Sequence, residues 1–137
     1  MIYKPFLVAG TILGALAVAL GALGAHGLQR LVDQRGLEQR LVQTFHTGVE
    51  YQFYHALALL GAGILVAYFP GSWMRAAGWC FLAGVICFSG SLYAITLLKV
   101  FGGGSIGVAG VITPLGGLVL IAGWACALVA MLLQRAA

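Results

Sequence analysis

Twenty consecutive residues near the start of the chain, Phe6 to Ala25 (FLVAGTILGALAVALGALGA), carry no charge. As a helix rising about 1.5 Å per residue, such a run reaches roughly 30 Å, the thickness of a bilayer's hydrocarbon core. It is longer than the apolar part of a secretory signal, about 7 to 15 residues, so it reads as a retained membrane helix despite the faintly cleavage-like Ala22-Leu23-Gly24. Three further apolar runs follow, at about 45–69, 73–98 and 106–133. Lipid offers no water to exposed backbone groups, so each run must close its own hydrogen bonds as a helix. The expected fold is all-α, one integral membrane domain over 1–137 built as a four-transmembrane-helix antiparallel bundle.

Composition agrees and excludes other classes. Only 7% of residues are charged and 62% are hydrophobic, whereas soluble domains carry about a quarter charged residues. The seven Lys and Arg sit near the ends of apolar runs, where they anchor to headgroups. No basic cluster suits a nucleic-acid surface. Cys80, Cys87 and Cys126 lie inside apolar runs without C-x-x-C spacing, which reads as buried free thiols and not as a zinc site or a disulfide framework.

Between the first two runs, Leu28 to Thr44 is polar, with Arg30, Asp33, Arg35, Glu38 and Arg40, yet Leu28, Leu31, Val32, Leu37 and Leu41 keep helical spacing on either side of Gly36. Two short amphipathic turns at the membrane surface fit this pattern better than a solvated linker. In the first helix Gly10, Gly14 and Gly21 recur on one stripe with Ala17 and Ala25, which allows a neighbouring backbone to approach. Pro70-Gly71 reverses the chain, and Gly102 to Ser105 makes a flexible connection before the last run. Thr113-Pro114 with Gly116 and Gly117 is expected to bend or break that helix and free carbonyls near Gly110. Lys4, Arg75 and Arg135 lie on one side against Arg30, Arg35, Arg40 and Lys99 on the other, so charge bias barely orients the chain. The even number of spans and the early Lys4 favour both termini in the cytoplasm.

The chemistry-bearing residues gather at one depth. Glu50, in the run with His46 and His55, is the leading candidate, because an acid within a span usually faces a protein interior, a cavity or a partner. Folding four antiparallel spans brings His26, His46, Glu50, Tyr54, His55, Ser89, Ser91, Tyr93 and Thr113 into the same half of the bilayer. At 100° per residue, His46, Glu50 and Tyr54 share one face of their helix, while Tyr51 and His55 point the other way. The helix is then central in the bundle or shared with a neighbouring protomer. The plainest reading is mutual satisfaction, Glu50 with His26, His46 or Tyr93, and serines with backbone carbonyls. A ligand or ion pocket is a second reading. Metal or haem ligation is weaker, since the E-x-x-H spacing of di-iron bundles is missing. Ser89 and Ser91 lack a nucleophile elbow, and Tyr51, Phe53 and Tyr54 read as packing and interface anchors. No catalytic residue, metal ligand or cofactor is assigned.

GALGAHGL (Gly21 to Leu28), YQFYHALALL (Tyr51 to Leu60), FSGSLY (Phe88 to Tyr93) and ITPLGGLVLIAGW (Ile112 to Trp124) occur in this order. With these motifs the chain resembles the small bacterial membrane proteins of domain-of-unknown-function family 423, to which eukaryotic transmembrane protein 256 is similar. The resemblance covers nearly the whole chain and implies a four-span integral membrane protein of the cell envelope, but brings no reaction, substrate or catalytic residue; the location expected is the bacterial inner membrane. The functional expectation is a small accessory or scaffold subunit acting by helix packing on lipid-embedded partners or on further copies of itself. The alternative is an oligomeric carrier or channel for an ion or small solute, with Glu50 as the titrating group.

Overall fold

The computed structural model describes residues 1–102 and 107–133, so the connection at Gly103 to Ser105, the start of the last run at Ile106, and Arg135 lie outside the described residues. All regular structure among them is helical: α1 (Lys4–Leu23), a π-helical turn (Gly24–Leu28), α2 (Gln29–Gln34), α3 (Arg40–Leu65), α4 (Ser72–Val100) and α5 (Gly107–Leu133). Three helical rods are long and apolar enough to cross a membrane, Lys4–Gln34, Ser72–Val100 and Gly107–Leu133. The 26 residues of α3 have the length but carry Arg40, His46, Glu50, Gln52 and His55.

α1 packs on α3, α3 on α4, and α4 most extensively on α5. Residue numbers rise on one helix as they fall on the next. Leu13 meets Gln52 and Tyr3 meets Gly63, Thr96 meets Leu41 and Tyr93 meets Gln52, and Ser91 meets Thr113 while Gly123 meets Phe81. One apolar core, around Phe6, Leu59, Val66, Met74 and Phe81, gathers the start of α1, the end of α3 and the start of α4 with Ala127 and Ala130 of α5. A second, of Val32, Leu41, Val42 and Val100, fills the other end.

Several boundaries differ from those read in the sequence. The first helix does not stop at Ala25, because the π turn carries it into α2. Fully buried Val32 then pins α2 against Leu41, Val42 and Val100. Of the two amphipathic turns expected, only the first is a separate element. The second joins α3, which begins at Arg40 instead of Phe45 because Leu41 and Val42 belong to the same core. Gly36 does divide the halves, with φ +63, a backbone region that side chains with a Cβ disfavour. The polar end is laced by Gln29, Asp33 and Gln39. Arg35 Nη1 donates to the Val100 carbonyl at 2.7 Å, and Arg35 Cζ lies 5.6 Å from the centre of the Phe101 ring.

α5 runs unbroken through Pro114. The Thr113 hydroxyl donates to the Ala109 carbonyl at 3.0 Å and meets Ser91 at 2.7 Å, while Gly116 lies against the Phe88 backbone. This packing on α4 holds the helix together where propensity alone would end it. Among the stripe glycines, a Cβ at Gly10 would stand 2.9 Å from the Ala56 carbonyl oxygen, whereas at Gly14 the nearest atom would be 3.9 Å away. Gly10→Ala is therefore expected to lower stability by about 1 kcal/mol or more. Gly14→Ala should leave it unchanged or slightly raised, since alanine is the better helix former. Reversible unfolding in mixed micelles, followed by circular dichroism, compares the two.

Candidate functional site

Inside the molecule the polar side chains act as ties between helices. His55, 6% exposed, places Nδ1 2.8 Å from the Tyr51 carbonyl and Nε2 3.2 Å from Trp124 Nε1. A carbonyl only accepts and an indole N–H only donates, so the ring is the neutral tautomer with its proton on Nδ1. That pair links α3 to α5. Gln52, 4% exposed, donates from Nε2 to the Leu13 carbonyl at 2.8 Å and accepts at Oε1 from the Tyr93 hydroxyl at 2.9 Å. One amide thus holds α1, α3 and α4.

Between α4 and α5, Ser91 Oγ and Thr113 Oγ1 are 2.7 Å apart, and each also faces a carbonyl of its own helix, Phe88 at 2.8 Å and Ala109 at 3.0 Å. Thr96 bonds the Leu92 carbonyl and approaches that of Leu41. Ser89 Oγ is buried without a partner among the described residues.

The outer face is a different environment. Glu50, Tyr54 and His26 are exposed, and His46 is half-buried. Glu50 lies in a groove of about 380 Å³ between α1 and α3, beside Ala17, Val18, Gly21, Val49, Phe53 and Tyr54, and its carboxylate forms no hydrogen bond or ion pair with a described residue. The nine candidates therefore do not form one cluster. The structure pairs Ser91 with Thr113, sends Tyr93 to Gln52 and His55 to Trp124, and leaves Glu50, Tyr54 and His26 outside. The expected pairing of Glu50 with Tyr93 is corrected by the Gln52 bond, which occupies the Tyr93 hydroxyl proton.

Sequence reasoning missed Gln52 and Trp124. Gln52 was legible in principle, since Phe45, Gly48, Gln52, Ala56 and Leu59 recur at three- and four-residue steps and are all buried. Trp124 carries no such signal, because an indole in an apolar run equally suits a lipid-facing anchor.

Among the described residues no three His, Cys, Asp or Glu side chains converge as a metal site would require. Cys80, Cys87 and Cys126 are free thiols. The arrangement can hold helices together, and it presents one open carboxylate with a phenol and imidazoles nearby.

A family model described as "Protein of unknown function (DUF423)" matches residues 20–117, spanning the π turn, all of α3 and α4 and the start of α5. The chain belongs to the DUF423 family. Relatives occur in bacteria and yeast. The UPF0382 membrane protein YwdK of Bacillus subtilis is 41% identical, over 93% of this chain and 95% of its own length. The UPF0382 inner membrane protein YgdD of Escherichia coli is 35% identical, over 90% and 86%. A UPF0382 membrane protein of Schizosaccharomyces pombe is 35% identical, over 85% and 92%. No solved structure matches. With three helices able to span a bilayer, this DUF423 member is a membrane protein of uncharacterised function.

Proposed function

We propose that this DUF423 protein crosses the bilayer four times as an antiparallel bundle and serves as a small accessory or scaffold subunit of the bacterial inner membrane, acting by helix packing. In this reading α3 is the fourth span, sheltered between α1 and α4, with α2 and the Gly36 turn as an interfacial segment and both termini in the cytoplasm. The observation that carries the scaffold reading is the division of the polar groups. Gln52, His55, Ser91 and Thr113 are engaged in ties between helices, while Glu50 and Tyr54 face outwards from α3. A protein whose interior polar groups serve its own packing, and whose exposed ones are set for another chain, is arranged for assembly.

The carrier alternative needs Glu50 to line a path for the solute. Here the carboxylate lines an outward groove between α1 and α3, which suits that role only if neighbours complete the path. Purified protein in proteoliposomes separates the two. The scaffold reading expects proton and monovalent-cation flux at the level of empty liposomes, identical for wild type and Glu50→Gln. Flux that Glu50→Gln abolishes overturns it.

A further inference from the structure

The Glu50 carboxylate is ten residues from Arg40 at one end of α3 and fifteen from Leu65 at the other, about 15 Å and 22 Å along the axis. In the four-span reading both ends of α3 lie more than two turns from it. Within the chain the described Lys and Arg (Lys4, Arg30, Arg35, Arg40, Arg75 and Lys99) all lie near helix ends or in connections. An acid at this depth needs a partner, and the groove beside it has the dimensions for one. Its volume of about 380 Å³ and its small residues Ala17 and Gly21 give room for a large side chain from a closely packed helix.

The face around Glu50 carries hydrogen-bonding side chains that suit a carboxylate like its own. His46 lies one turn before Glu50 and Tyr54 one turn after, on the same side of α3, each displaced by about 6 Å along the axis. His46 is half-buried and Tyr54 is 57% exposed. An acid with a hydrogen-bond donor one turn to either side is self-complementary under two-fold rotation. Two chains inserted the same way and related by an axis along the membrane normal keep every residue at its own depth. Each carboxylate then has the imidazole and the phenol of the second copy within side-chain reach.

Resting on the scaffold reading, we propose that the groove between α1 and α3 is the contact between two copies of this chain, with Glu50 of each set against His46 and Tyr54 of the other. Phe53, which lines the groove and is 38% exposed, sits at the seam.

The test places a benzoyl-phenylalanine photo-cross-linker at Phe53 in full-length protein, with two differently tagged copies co-expressed in cell membranes. A cross-linker at Ile86, exposed on α4, is the control. The proposal expects an adduct at twice the chain mass carrying both tags from position 53 and none from Ile86. Glu50→Gln should retain the adduct, because an amide can still make the hydrogen bonds. Glu50→Lys, which sets two cations against each other, should lower the yield about tenfold, equivalent to about 1.4 kcal/mol. Circular dichroism of both variants checks that the helices persist.

Three results overturn the proposal. One is a position-53 adduct to a different membrane protein, which removes the dimer but leaves the scaffold reading standing. Another is lipid adducts alone, which remove both. The third is a two-tag adduct whose yield Glu50→Lys does not change.

Discussion

Gly116→Ala is expected to force α4 and α5 apart and to cost about 2 kcal/mol or more in reversible unfolding. A Cβ at Gly116 would stand 2.5 Å from the Phe88 nitrogen, 2.9 Å from its Cα and 3.0 Å from the Cys87 carbonyl carbon. All three are backbone atoms of α4, so no rotamer change relieves the overlap and a whole helix must move. Overpacking of this kind costs about 1–3 kcal/mol, against a gain of at most about 1 kcal/mol from replacing glycine within a helix. Gly117→Ala is the control one residue on. There the nearest atom is the Phe88 ring at 3.6 Å, an ordinary contact, and the propensity gain should leave stability unchanged or slightly raised. Equal losses for the two variants would show that the close approach at Gly116 does not set the spacing of the two helices.

Gln52→Ala is expected to loosen three helices at once. Its side chain is the common partner of the Leu13 carbonyl and the Tyr93 hydroxyl, and nearly all of it is buried. Hydrogen bonds between membrane helices average about 0.6 kcal/mol and reach about 1.7. Losing two, together with the packing of a buried side chain, should cost about 2 kcal/mol. Tyr93→Phe removes only one of the bonds and should cost about 1 kcal/mol or less. The double variant tests the link itself, because two residues sharing a bond give less than the sum of their separate losses. Strict additivity would mean that the amide and the phenol act independently.

Much of the axial layout could be read from the chain. The apolar runs, the reversal at Pro70-Gly71 and the division at Gly36 are axial features written in local composition, and Gly71 and Gly36 both adopt positive φ. What hydropathy does not encode is azimuth. Depth counting sets Glu50 and His55 at neighbouring levels, yet it has no means of knowing that the His55 side of α3 faces α5 while the Glu50 side faces outwards. Two polar faces of α3 are legible in the sequence, but the side carrying Gln52 is masked by its aromatic neighbours Tyr51 and Phe53. The length of the first rod is hidden from the sequence for a related reason. Ala25-His26-Gly27 looks like a helix end by propensity, and only the remote Val42 and Val100 explain why the chain continues as helix to Gln34. Pro114 likewise reads as a helix breaker in the sequence, because the contacts that Thr113 and Gly116 make on α4 are remote from it along the chain.

The guanidinium of Arg35 finds its acceptor 65 residues further along, at the Val100 carbonyl. A ribosome adding about 5–20 residues per second therefore delivers that acceptor roughly 3 to 13 seconds after Arg35 itself is made. For that interval the Arg35 guanidinium lacks this acceptor, while the bonds among Gln29, Asp33 and Gln39 can already form. That bond can close only once the far end of α4 has been synthesised, so it joins the turn after α2 to the last-made part of α4.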